Sequence, residues 1–112
     1  MRGATQISLQ PAFRALADPT RRQILNTLGQ REMSLREVTA EFSMTRAAVR
    51  KHLDILEEGG LIHMRRQGRE TLSALNANGL KPVFDWLGTF DQFWDDKLEQ
   101  LKTAIETEND DD

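Results

Sequence analysis

Thr45-Arg46-Ala47-Ala48-Val49-Arg50-Lys51-His52-Leu53-Asp54-Ile55-Leu56-Glu57-Glu58-Gly59-Gly60 is the stretch on which the fold of this chain turns. Val49, Leu53 and Leu56 recur at spacings of four and three, the period of one buried helix face, and Thr45 is a residue type whose hydroxyl caps a helix N-terminus. Gly59-Gly60 closes the segment. At about 100° per residue, Arg46, Ala47, Arg50 and Lys51 fall on the side away from those apolar residues, so the helix carries a cationic outer face. His52 lies between the two faces and is read as packing and hydrogen-bonding locally rather than as touching a phosphate.

Just upstream, Ser34-Leu35-Arg36-Glu37 has the capping-box pattern, a hydroxyl to cap and a Glu three residues later. It predicts a short helix from Leu35 to about Phe42, separated from the next by a break at Ser43-Met44. Further back, Pro11 opens a short helix carrying Phe13 and Leu16. The pair Asp18-Pro19 stops it and starts another, running from Pro19 to Leu28 and ended by Gly29.

Downstream, Leu61 to Arg66 and Glu70 to Leu75 flank Gln67-Gly68-Arg69, whose glycine supplies a positive φ for a tight turn. This reads as a β-hairpin. From about Leu80 to Glu108 a long amphipathic helix is predicted. Leu80, Leu87, Trp94 and Leu101 are seven apart, and Phe84, Leu98 and Ile105 share the companion position, with Asp91 the exception. Such a stripe requires a partner. Residues 109–112 form an acidic tail, expected to be disordered by self-repulsion.

The chain has 112 residues and no cysteine, which fits one domain: helices and hairpin over 11–80, then the long helix over 80–108. Disulfide scaffolds, thiolate metal sites and cysteine nucleophiles are excluded. The N-terminus shows no signal peptide and no apolar run approaches the roughly 18 residues that span a bilayer, so a soluble, cytoplasmic protein is expected, without membrane partners. No Ser/His/Asp arrangement, apolar carboxylate pair or phosphate-cradling glycine loop stands out, and neither an enzyme nor a cofactor is expected.

A net charge of −3 argues, taken whole, against a nucleic-acid partner. Divided at Leu80 it says the opposite. Residues 1–80 hold 12 Lys+Arg against 8 Asp+Glu, and residues 81–112 hold 3 against 10. Half of the cations in the first segment lie on two elements: Arg46, Arg50 and Lys51 on the helix quoted above, and Arg65, Arg66 and Arg69 on the hairpin. Two short helices across a break, followed by a hairpin, make the pattern of a winged helix-turn-helix, whose second helix enters the major groove while the wing lies against the backbone or minor groove. The fold class is therefore mainly α with a small β-hairpin.

The candidate DNA contacts are Thr45, Arg46, Ala47, Ala48, Arg50 and Lys51 on the helix, with Arg65, Arg66, Gln67 and Arg69 on the wing. An arginine in the groove reaches guanine O6 and N7, and the small alanines let the backbone approach base edges or a thymine methyl. Arg21 and Arg22 face two readings, a flanking phosphate or an ion pair with a nearby carboxylate. His63 opens the wing, too far from His52 to form a site with it.

Phe13-Arg14-Ala15-Leu16-Ala17-Asp18-Pro19-Thr20-Arg21-Arg22-Gln23-Ile24-Leu25, the stretch from Met44 to Ile62, Arg66-Gln67-Gly68-Arg69 and the aromatics between Trp86 and Trp94 together resemble the ArsR-type winged-helix transcriptional regulators. The resemblance implies a homodimeric repressor that leaves its operator when an effector binds, with terminal helices forming the dimer interface. Its candidates here are Phe13, Leu16, Phe84, Leu87, Phe90, Trp94, Leu98 and Leu101, and two-fold symmetry implies a pseudo-palindromic operator. The cluster of Trp86, Phe90, Phe93 and Trp94 is then read as dimer core in preference to a small-molecule pocket.

One departure from the family pattern concerns metal. Metal-sensing members carry a Cys-x-Cys pair where this chain has Ser34 and Arg36, and residues 81–112 contain no His. Asp91, Asp95, Asp96 and Glu99 alone make a poor transition-metal site and are read as a solvated face. Any effector is thus expected to be non-metal. The competing class is a protein-interaction adaptor, in which the acidic helix engages a partner and the helix-turn-helix is a scaffold without DNA affinity.

Overall fold

Asp18 makes the first corner of the chain. Its carboxylate accepts a hydrogen bond from the Arg21 backbone N–H at 3.0 Å and Pro19 occupies the first helical position, so α1 (Gln10–Leu16) stops and α2 (Pro19–Leu28) starts. The structure is a computed structural model describing residues 8–110, with side chains through Thr107. The start of the N-terminal segment read as lacking a signal, and Asp111 and Asp112 of the acidic tail, lie outside the described residues.

The capping box closes in both directions. Ser34 Oγ accepts from the Glu37 N–H at 3.1 Å, and the Glu37 carboxylate accepts from the Ser34 N–H at 2.8 Å, which fixes the start of α3 (Leu35–Phe42). Ser43, at φ 50°, turns the chain into the left-handed region and ends that helix. Two residues on, Thr45 Oγ1 accepts from the Ala48 N–H at 3.1 Å and α4 (Arg46–Glu58) begins. It ends in a Schellman arrangement: the Leu61 N–H reaches the Leu56 carbonyl at 3.0 Å and the Gly60 N–H reaches that of Glu57 at 2.9 Å, with Gly60 at φ 76°.

The hairpin forms as predicted, from β2 (Ile62–Gln67) and β3 (Glu70–Leu75), paired from Ile62↔Leu75 to Gln67↔Glu70 across a turn with Gly68 at φ 64°. A third strand was not foreseen. β1 (Met33–Ser34) pairs antiparallel with β3, giving the sheet order β1-β3-β2. Two residues are too few to show an alternation, and it is the approach of β3 that makes them a strand. The core lies between this sheet and α1 to α4, with Ile24, Leu28, Val38, Val49, Leu53 and Leu56 almost wholly buried.

The C-terminal segment corrects the sequence reading. In place of one helix from Leu80 to Glu108 there are two, α5 (Ala77–Gly88) and α6 (Asp91–Asp110), so Asn109 and Asp110 are helical rather than part of a disordered tail. The break has local causes. Gly88 is a poor helix former, and the Thr89 hydroxyl donates back to the Trp86 carbonyl at 2.7 Å, competing with the helical ladder. Asp91, the residue that interrupted the heptad, is the first residue of α6, where a carboxylate meets the positive end of a helix. Because α5 starts earlier than expected, Pro82 falls inside it instead of in its first turn.

The Asn76 side chain donates to the Gly60 carbonyl at 2.9 Å and its N–H reaches the Leu61 carbonyl at 2.8 Å, seating α5 on the end of α4. Leu80 and Val83 then pack on the core, and past Trp86, which meets Phe13, the chain leaves the body. Its radius of gyration is 19.2 Å, against about 13 Å for a compact domain of this length, and the extents are 63 × 48 × 19 Å. Among the described residues no helix is long and apolar enough to cross a membrane.

Candidate nucleic-acid interface

Burial divides α4 into two faces. Val49, Leu53 and Leu56 are fully enclosed, while Arg46, Ala47, Arg50 and Lys51 are exposed and Ala48 is half-buried. The same face runs onto the wing, where Arg65, Arg66, Gln67 and Arg69 are all exposed. Glu57 joins the two, its carboxylate accepting from the Met64 N–H at 3.2 Å, so the wing is fixed to the helix by a side chain as well as by the loop.

Between α4 and the wing runs a trough of about 330 Å³, bounded by Arg50, Glu57, Met64, Arg65, Arg66 and Thr71. A smaller cleft of about 140 Å³ lies at the other edge, where Arg36, Arg46 and Arg69 converge beside Ser34 and Glu70. Arg36, which the sequence reading left out of its candidate contacts, belongs to this cationic face. Its position two residues into a capped helix was the available signal.

Several of these arginines hold carboxylates: Arg50 Nε with Asp54 at 3.1 Å, Arg65 with Glu32 at 3.0 Å and Arg36 with Glu70 at 3.5 Å. Arg65 also donates to Gln67 at 2.7 Å, so its fork is engaged twice. Arg46, Lys51 and Arg69 make no side-chain hydrogen bond or ion pair among the described residues. Exposed pairs of this kind contribute about 0–1 kcal/mol to stability.

Among the described residues Arg21 and Arg22 form no ion pair with a carboxylate, the second of the two readings. Arg21 donates to the Ala15 and Arg14 carbonyls at 2.9 and 2.8 Å, and Arg22 to that of Leu16 at 2.7 Å, so both close the open C-terminal end of α1. His52 is half-buried against Arg21, in keeping with its packing role. His63 is exposed on the first wing strand.

The residues assigned to a dimer interface fall into two groups. Phe13 packs edge-on against Trp86 of its own chain, with ring centroids 5.4 Å apart, and Trp86 in turn meets Phe90 at 5.2 Å. Leu16 is half-buried on the core. Phe84, Leu87, Trp94, Leu98 and Leu101 stand open on α5 and α6, with Phe84 at 73% and Leu98 at 62% exposure. Asp91, Asp95, Asp96 and Glu99 are likewise exposed along α6.

A cationic helix face set beside a basic two-stranded wing, on a three-stranded sheet, defines a winged helix-turn-helix DNA-binding regulator. Comparison with known proteins agrees. A family model described as a helix-turn-helix domain matches residues 16–65. The chain is 32% identical over 108 residues to the HTH-type transcriptional regulator Rv2034 of Mycobacterium tuberculosis, spanning 96% of this chain and 98% of that one. It is 31% identical over 78 residues to the transcriptional repressor SdpR of Bacillus subtilis, spanning 70% and 87%. The solved structure of an ArsR-like transcriptional regulator from Rhodococcus superposes with a TM-score of 0.67 at 30% identity, covering 86% of this chain and 91% of that one. The chain belongs to the ArsR-type family of winged helix-turn-helix transcriptional regulators.

Proposed function

We propose that the protein is a homodimeric repressor that binds a pseudo-palindromic operator, places the two α4 helices in successive major grooves, and represses by occluding a promoter. The observation that carries this is the division of the surface. One edge, α4 with the wing, presents Arg46, Arg50, Lys51, Arg66 and Arg69, while the arm presents an apolar stripe with acidic residues beside it. A cationic face meets phosphates, and an exposed apolar stripe of this length requires cover. A second copy supplies that cover with the same stripe, which is the self-complementarity of a two-fold interface. The relative SdpR is itself a repressor.

With no cysteine in the chain and no histidine after His63, release from DNA is assigned to a non-metal signal or to none. The test is a fluorescence-anisotropy titration against the protein's own upstream DNA and a scrambled duplex at two salt concentrations, with light scattering for mass. Specific, salt-sensitive binding by a dimer is expected. Absence of binding at low salt would leave the adaptor, and zinc-induced release would overturn the non-metal assignment.

A further inference from the structure

We propose that Asp54 is a positioning residue for Arg50, and that the pair is built to read guanine. The inference rests on the DNA-binding reading above and goes further by assigning a base to one side chain. Arg50 Nε donates to Asp54 Oδ1 at 3.1 Å, one turn along the outer face of α4, with the two side chains 48% and 55% exposed.

A guanidinium is a rigid plane with N–H groups along two edges. With the Nε edge held by Asp54, the two Nη groups project together, and they make no other hydrogen bond among the described residues. That leaves a fork of two parallel donors at the rim of the trough between α4 and the wing, which Arg50 borders together with Arg65 and Arg66. In the major groove guanine offers two adjacent acceptors, O6 and N7, whereas adenine offers an acceptor beside a donor. A fixed donor pair matches the first and clashes with the second.

Helix stability does not account for Asp54. In a cross-turn pair the acidic residue is better placed N-terminal to the basic one, and this pair runs the other way. Nor does bulk attraction to DNA explain it, because a carboxylate on a face that meets phosphates weakens binding to every sequence. Asp54 is the one acidic residue of α4 before its last two positions. Its place is accounted for when it trades general affinity for discrimination, and the two effects have opposite signs.

The experiment uses the full-length protein and two duplexes, one selected by the wild-type protein from a randomised library and one scrambled from it, together with single-pair variants of the first. For Asp54→Ala, affinity for the scrambled duplex is expected to rise while preference for one G·C pair in each half-site falls about tenfold. Arg50→Lys should lose preference at the same pair, and adding Asp54→Ala to it should cost no further preference. Asp54→Asn, which keeps an acceptor oxygen, should hold the preference better than Asp54→Ala. If Asp54→Ala tightens both duplexes by the same factor, the carboxylate is a repelling charge only and the inference is overturned, with the regulator reading intact. If the wild-type protein selects no sequence at all, both readings fall together.

Discussion

Arg21 on α2 brings its Nη1 to within 3.5 Å of His52 Nδ1 on α4, across 31 residues of sequence, while its other nitrogens hold the last carbonyls of α1. One side chain thus joins α1, which packs on α5 through Phe13 and Trp86, to α4, the helix proposed to enter the major groove. The arm and the recognition helix are connected through a few hydrogen bonds as well as through the core.

Replacing Arg21 by Met keeps the length of the side chain and removes those bonds. It is expected to destabilise the fold by about 1.5–3 kcal/mol, the range for hydrogen bonds made by a charged group, read as a lower urea midpoint with an unchanged slope. A midpoint equal to the wild type would show that water satisfies the α1 carbonyls equally well.

Acid should weaken the fold through the helix caps. Backbone hydrogen bonds, from Arg21 to Asp18 and from Ser34 to Glu37, hold both carboxyls below their ordinary values of 3.8 and 4.5. The folded chain therefore binds fewer protons than the unfolded one in this range. The caps contribute fully above about pH 4.5, and the contribution is lost as pH falls through the depressed folded values. Thermal midpoints measured from neutral pH downward should fall below that point, and Asp18→Asn, which still caps but does not titrate, should flatten part of the decline.

Gly79 lies where α5 crosses the end of α4, and a methyl group there would collide with the Gly60 carbonyl oxygen. Gly79→Ala should displace α5 and cost about 3 kcal/mol, the upper end for overpacking. Guanidinium melts measure the loss. Light scattering on the same sample should show weakened self-association, since the displaced helix carries Phe84 and Leu87.

Ser73 is fully buried on β3 and its hydroxyl finds no hydrogen-bond partner among the described residues. Ser73→Ala removes an unsatisfied polar atom without changing the sheet, so stability should stay level or rise by about 1 kcal/mol. A marked loss on a denaturant melt would reveal a partner for that oxygen.

On the wing, Arg66→Ala and Arg69→Ala should weaken binding to every duplex and lower the salt slope by about one each, whereas Arg50→Ala should change which sequence is preferred. Binding constants that match the wild type at every salt concentration would move the interface elsewhere.

Much of this was legible in the chain. The boundaries of α2 and α3 and the wing turn follow from capping chemistry and glycine placement, which act over a few residues and leave their signature in sequence. The two faces of α4 were legible for the same reason, since one helix fixes both from its period alone. What could not be read was anything set by distant neighbours. β1 exists because β3 runs past it. Arg36 joins the cationic face only when α3, α4 and the wing close a cleft. The heptad pattern from Leu80 to Ile105 continued straight through a break made by Gly88 and Thr89, because periodicity records which side is apolar and not whether the ladder is continuous.

The sequence by itself determined a winged helix-turn-helix with a basic reading head and an acidic, apolar arm, because local propensities and the sign of each segment's charge are properties of neighbouring residues. Only the tertiary structure decided that Arg21 closes α1, that Asp54 holds Arg50, and that the arm bends at Thr89 and leaves its apolar face open. Those outcomes depend on which groups meet across tens of residues, and that is fixed only when the core has packed.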